Sequence, residues 1–295
     1  MIDIHTLTQA EFGALPLIVE GESKIVRACG TDGHGVPMCV IALKPTVYSF
    51  SSNRTGVVPG SDLIRLRACK TFTKVLKDAG ISHTYRDVGE RFILSEQVKP
   101  PNVETIVKAY HSGTSKHRYY GMAGTPVRRG SLFENMSFLP EGGYPHPVVR
   151  FDWRNPCWHP DSVAKLRGIW PGLADQVHEW PDYLRSQARM SDEAMGDDHA
   201  NWFINVREAK KTALQVFEAL TRFLGKRDVV VYDLCLFVTQ EGNTVFGEIS
   251  PDCGRFRHFD LGSLDKDVWR TGGSSEQVLA KWQTLIDLIE GPGHA

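Results

Sequence analysis

The sequence predicts an α+β fold in two unequal parts, and three observations carry that expectation. Short segments rich in β-branched and aromatic residues dominate the first hundred positions. Two stretches with helical apolar spacing frame a strand pair in the last hundred. Between the two halves stands Pro100-Pro101, which denies ladder donors and stiffens the chain. The boundary is therefore placed there, with a smaller antiparallel-sheet domain over 1–99 and a larger α+β domain over 100–295.

Each element has its own signal. Lys24 to Cys29 and Met38 to Phe50 read as strands, and the turn-rich Gly30 to Gly35 between them predicts a hairpin. From Asp62 to Ala79, Leu63, Leu66, Phe72, Val75 and Leu76 recur with helical spacing, and Gly80 stands where a C-cap belongs. A second strand pair is expected near Ile81 to Tyr85 and Arg91 to Val98. Val103 to Tyr110 reads as a strand running into the polar, basic loop His111 to Arg118. Residues 121–160, rich in Gly, Pro, Trp and His and without a clean period, read as ordered loops. Ala209 to Leu224 carries Ala213, Leu214, Phe217, Leu220 and Leu224 on one stripe, a helix closed by Gly225. Asp228 to Thr239 and Asn243 to Ile249 form a hairpin around Gln240-Glu241-Gly242, and a last helix covers Ser275 to Ile289.

Composition narrows the function. Thirty-four Lys and Arg against thirty-five Asp and Glu leave a formal charge of -1, so no global basic field points to nucleic acid or anionic membranes. No apolar run approaches the ~20 residues that span a bilayer. The start, MIDIHTLTQAEF, has no apolar leader core, and a cytoplasmic location is expected. Cys29, Cys39, Cys69, Cys157, Cys235 and Cys253 show no CxxC or zinc spacing, so structural thiols are expected.

Three segments are denser in polar groups than packing needs. Gly21-Glu22-Ser23-Lys24 is a short turn whose amides and lysine suit phosphates, with a plain surface turn as the alternative. Lys108 to Arg118 gathers three cations and three hydroxyls around Gly113, a composition that suits a phosphate monoester. In the third, GEISPDCGRFRH followed by GSLDKDVWR, acids and bases alternate with turn residues directly after a strand, where fixed charges are usually functional.

GEISPDCGRFRHFD with SLDKDVWR resembles the C-terminal signature of SAICAR synthetase, the purine-pathway ligase that joins aspartate to a carboxyaminoimidazole ribonucleotide using ATP. GESK, VETIVKAYHSGTSKHR and VVVYDLCLFV resemble its other segments in order, so the likeness covers nearly the whole chain and is weakest over 121–200. It implies that family's α+β fold, with the site in the cleft between the domains, and a homo-oligomer whose partner is a small ribonucleotide. It implies that Lys108, Thr114, Ser115, Arg118, Arg255 and Asp265 bind that ribonucleotide. It implies catalytic roles for Lys24, Arg154, Asp233, Asp252 and Lys266. ATP would meet Gly21, Ser23, Lys24 and Glu104, and magnesium would meet Glu248.

The nucleotide side departs from the family. Strand alternation puts Asp233, Cys235 and Phe237 on one face, where the family has an acid, a lysine and a glutamate. Gly247 replaces an aspartate, and Glu22 a lysine. Magnesium needs oxygen ligands that Phe237 and Gly247 lack. Two expectations follow. One is an ATP-dependent carbon–nitrogen ligase specialised for nucleoside-antibiotic production. The other is an enzyme on a related nucleotide that has dropped Mg-ATP for ring formation, ring expansion or hydrolysis, with His111, His159 or Cys235 as further candidates. For Cys235 the favoured reading is a small apolar residue beside Phe237 that fills the space vacated by charge. The retained acids argue against a non-catalytic nucleotide sensor.

Overall fold

The computed structural model describes residues 2–49, 54–111, 125–132, 134, 142–155 and 191–291. A capped first turn, α1 (Gln9–Ala14), precedes a five-stranded antiparallel sheet ordered β1-β2-β3-β7-β6. Its strands are β1 (Leu17–Glu20), β2 (Lys24–Thr31), β3 (Pro37–Leu43), β6 (Tyr85–Val88) and β7 (Ile93–Glu96). A small hairpin, β4 (Thr46–Ser49) with β5 (Arg54–Val57), and the helix α2 (Ser61–Asp78) are inserted between β3 and β6.

The second sheet runs β10-β9-β8-β11-β13-β14, with β12 attached to β11. It contains β8 (Val103–Tyr110), β9 (Gly143–Asn155), β10 (Ser191–Met195), β11 (Val229–Val238), β12 (Val245–Phe246), β13 (Gly254–His258) and β14 (Gly262–Ser263). Four helices accompany it: α3 (Asp197–Ala200), α4 (Val206–Gly225), α5 (Asp267–Arg270) and α6 (Ser275–Glu290). No helix among the described residues is long and apolar enough to cross a membrane.

Four expectations change. The strand read over Met38 to Phe50 is two strands, because Pro45 has no donor and β4 turns away to pair with β5. The strand read over Ile81 to Tyr85 begins only at Tyr85. Residues 82–84 instead bond the other sheet, Thr84 N to Val245 O and Val245 N to Ser82 O. The loop reading of 121–160 fails over Gly143–Asn155, the longest strand. Its prolines, Pro145 and Pro147, blur the alternation, yet they precede the stretch from Phe151 to Asn155 that β10 covers, so no ladder donor is missed there. The strand read to Ile249 stops at Phe246, since Gly247 turns left-handed with φ +91°.

One apolar core joins both sheets. It includes Ile41 and Ile93 from the first, Val107, Leu234 and Phe256 from the second, and Leu66, Phe72 and Leu76 of α2 between them. The Phe72 and Phe256 rings are 6.2 Å apart. On the outer face of the first sheet Phe12 of α1 packs on Phe92 at 4.9 Å. Val231 to Asp233 holds a register irregularity in β11, after which Leu234 and Leu236 face the core and Asp233, Cys235 and Phe237 face away from it.

Candidate functional site

A cleft of about 460 Å³ lies between the two sheets. Its floor is the face of β8, β9 and β11 that carries Glu104, Asp152, Asp233, Cys235 and Phe237; its opposite wall includes Val26 and Ile41 of the first sheet. The Gly21–Lys24 turn and the segment from Gly247 to Arg255 line it as well and meet each other, a Cβ at Gly247 lying 3.6 Å from Lys24 Nζ.

Strand register brings the phosphate candidates together. Asp233 stands opposite Lys108 on one side and Arg255 on the other. Arg255 Nη1 donates to Asp233 Oδ2 at 2.5 Å, and Lys108 Nζ is 3.6 Å from the same oxygen. Asp233 is 3% exposed, and its Oδ1 has no hydrogen-bond partner among the described residues. Burial alone would raise the Asp233 pKa, but Arg255 and Lys108 outweigh it and hold the carboxyl below its usual range. Burial pushes the Lys108 ammonium down, against the pull of Asp233.

Asp252 and Lys266 form the second cluster, with Lys266 Nζ donating to Asp252 Oδ1 at 2.9 Å on the cleft wall. Burial raises the Asp252 carboxyl, but Lys266 and Arg65 bring it below its ordinary value. Asp265 is a correction: it is fully buried and does not line the cleft. Its oxygens accept the amides of Phe256 (3.0 Å) and Asp267 (2.7 Å) and both Arg257 and Arg270, so it fixes the loop rather than touching a ligand. Asp267 is pinned in turn by Arg257 and Arg270.

Glu248 is the second correction. Arg65 of α2 grips both its oxygens, Nε to Oε1 at 2.7 Å and Nη2 to Oε2 at 2.6 Å, and Ser250 adds a third donor. Three donors therefore compete with any metal for those oxygens, two on Oε1 and one on Oε2. Asp152 is held by Arg150, Asp233 by Arg255 and Asp252 by Lys266. Phe237 and Gly247 contribute no side-chain oxygen to the same wall. These four paired carboxylates do not offer magnesium a ready ligand set, and no group of three or more candidate metal ligands occurs among the described residues.

The Gly21–Lys24 turn is closed by Gly21 N donating to Lys24 O at 2.9 Å, and Gly21, Ser23 and Lys24 all line the cleft. Glu104 lines it too, 4% exposed, opposite Asp152 on β9. Arg154 continues β9 opposite Asp192 of β10. Thr114, Ser115, Arg118 and His159 lie outside the described residues. His111 is buried at the end of β8 against Tyr144 and is not part of the cleft lining.

Sequence reasoning missed Arg65, Arg150, Asp152 and Arg270. For Arg65 a signal exists: it shares the buried stripe of α2 with Cys69, Phe72 and Leu76, and a cation on an apolar helix face needs an acid from elsewhere. Of the cysteines, the five described are free thiols. Cys253, in the cleft wall, is pushed up to about 12 by burial and the nearby Glu248 and Asp252.

Residues 181–285 match the family model for SAICAR synthetase. Bifunctional cordycepin biosynthesis cluster protein 3 of Cordyceps militaris is 30% identical over 292 residues, 92% of this chain but 32% of that protein. The chain thus spans about a third of that relative's length. Phosphoribosylaminoimidazole-succinocarboxamide synthase of Methanopyrus kandleri is 25% identical over 278 residues, 92% of this chain and 93% of that one. A solved SAICAR synthetase in complex with ADP superposes with a TM-score of 0.66 at 20% identity, covering 94% of this chain and 99% of that one, which shows the shared fold.

Proposed function

We propose that the chain is a divergent SAICAR synthetase-like enzyme that acts on a phosphoribosylated imidazole, a purine-precursor-like nucleotide, in specialised nucleoside production, a reading supported by the match of residues 181–285 to that family's model and by the likeness to the Methanopyrus synthase. The likeness to a cordycepin-cluster protein supports that setting. The observation that carries the reading is the row Lys108, Asp233, Arg255 across three neighbouring strands. Arg255 lines the cleft and Lys108 is buried beside Asp233, so the row keeps one net positive charge that attracts a phosphate monoester, and the Oδ1 of Asp233 remains to exchange a proton with the ligand. Lys266, seated on Asp252, is the second proton-transfer group. Lys24 adds positive charge to the cleft lining.

On this reading Mg-ATP is not used, since four of the cleft carboxylates, Glu248, Asp152, Asp233 and Asp252, are already paired with Arg65, Arg150, Arg255 and Lys266. The second reading, ATP-dependent amide ligation with an amino acid such as aspartate, is favoured by the end-to-end match to the Methanopyrus synthase. A homo-oligomer with a small-molecule partner and no nucleic acid belongs to both readings.

Calorimetry separates them. We expect 5-aminoimidazole ribonucleotides to bind and Mg-ATP to give no heat; Mg-ATP binding together with aspartate-dependent ADP release would establish the ligase instead. Lys108→Ala and Arg255→Ala should each weaken ribonucleotide binding about tenfold or more, the worth of a charge-assisted hydrogen bond. Affinities equal to the parent's would remove the phosphate from this row.

A further inference from the structure

We propose that the apolar end of the cleft is a stacking site for a planar, uncharged nitrogen heterocycle, held against Phe237 and Phe246. The two rings lie side by side across the β11–β12 pair, with centroids 5.7 Å apart and planes tilted by 39°. Both are half-buried, both line the cleft, and neither belongs to any of the apolar core clusters. Aromatic carbon left facing a cleft is matched by a ligand with an apolar face.

The surroundings define that ligand further. Val26, Ile41 and Ile18 of the first sheet line the same cleft, so aliphatic as well as aromatic side chains are offered to a flat ring. Gly247 follows Phe246 directly in a left-handed conformation; a Cβ there would come 3.8 Å from the Phe237 ring and 3.6 Å from Lys24 Nζ. The missing side chain leaves the ring edge and the ammonium open to the same ligand. Lys24 can donate to a ring nitrogen or carbonyl substituent, so the heterocycle bears an acceptor on its edge. A polyphosphate has no complement in two phenyl rings.

The placement deepens the proposed function and rests on it for polarity alone. Phe237 lies four residues from Asp233 on one strand face, about 13 Å along β11. Phosphate and ring of one nucleotide would therefore occupy opposite ends of the same strand.

The test is calorimetry of the full chain with three probes: 5-aminoimidazole-4-carboxamide ribonucleoside, its 5′-monophosphate, and ribose 5-phosphate. Phe237→Leu and, independently, Phe246→Leu should each weaken the nucleoside and the monophosphate about tenfold, as loss of one ring stack does, and leave ribose 5-phosphate unchanged. Circular dichroism checks that each variant folds, and the second variant carries the test if the first does not. Nucleoside affinity unmoved by either substitution, or no nucleoside binding by the parent, would overturn the stacking site. A parent that binds nucleoside and monophosphate equally, and ribose 5-phosphate not at all, would instead retire the phosphate row and leave the stacking site standing.

Discussion

Arg65 has no exposed surface and spends its guanidinium on Glu248 and on the carbonyls of Lys44 and Thr46. Removing it strands a buried carboxylate, a loss on the order of 3–5 kcal/mol. Arg65→Met should therefore lower the urea midpoint sharply, and adding Glu248→Gln should restore much of it; a single variant as stable as the parent would show that the pair is not needed. Burial pushes Asp267 up, but Arg270, Arg257 and Arg255 win and bring it down to about 2. Asp233, Glu248 and Asp252 are likewise depressed, against burial, by their own cations. A depressed carboxyl stabilises the fold above its unfolded pKa, about 4, and loses that contribution as pH falls toward the folded value. Asp265, raised by burial and by Asp267, works in the opposite sense. The urea midpoint should fall between pH 4 and 2, and by less in Asp267→Asn; equal slopes would contradict the assignment. Asp233, Asp252 and Arg255 are legible in the sequence because motif and alternation both mark them. Asp265 and Glu248 sit in the same motif, and nothing local says that their oxygens face inward to arginines.

At the level of elements, the hairpin of β11 and β12 owes its geometry to Gly242. Its φ of +74° suits glycine, and a Cβ there would lie 2.5 Å from Asn205 O and 2.6 Å from Ala209 N at the start of α4. Asn205 N also donates to Gln240 O at 2.7 Å, so turn and helix cap form one unit. Gly242→Ala should cost about 1–3 kcal/mol by strain and displacement, read as a lowered urea midpoint with unchanged slope; no shift would refute the contact. Helix α4 and the hairpin announce themselves through period and turn residues. β9 does not: thirteen residues with two prolines and three aromatics mimic a loop. Its pairing to β8 from Val103↔Trp153 to Lys108↔Val148 depends on a partner forty to fifty residues away.

On the scale of the whole molecule, the proline-marked boundary separates two sheets but not two cores. Helix α2, encoded in the first part, packs on α4 and α6 of the second and places Phe72 against Phe256. Heat should accordingly unfold the chain in one transition, with near- and far-ultraviolet dichroism coincident; two resolved steps would mean that the shared core does not couple the halves. Alternation, caps and the SPDCGR and DKD stretches were enough to specify the α+β class, most elements and the resemblance to SAICAR synthetases, because period and turn chemistry act over a few neighbouring residues. What only the tertiary structure decided is which charges meet. Arg65 reaches Glu248, and Lys108 and Arg255 share Asp233, through strand register and helix packing across long sequence separations. Whether a carboxylate serves a ligand or an arginine depends on those distances, which no local pattern contains.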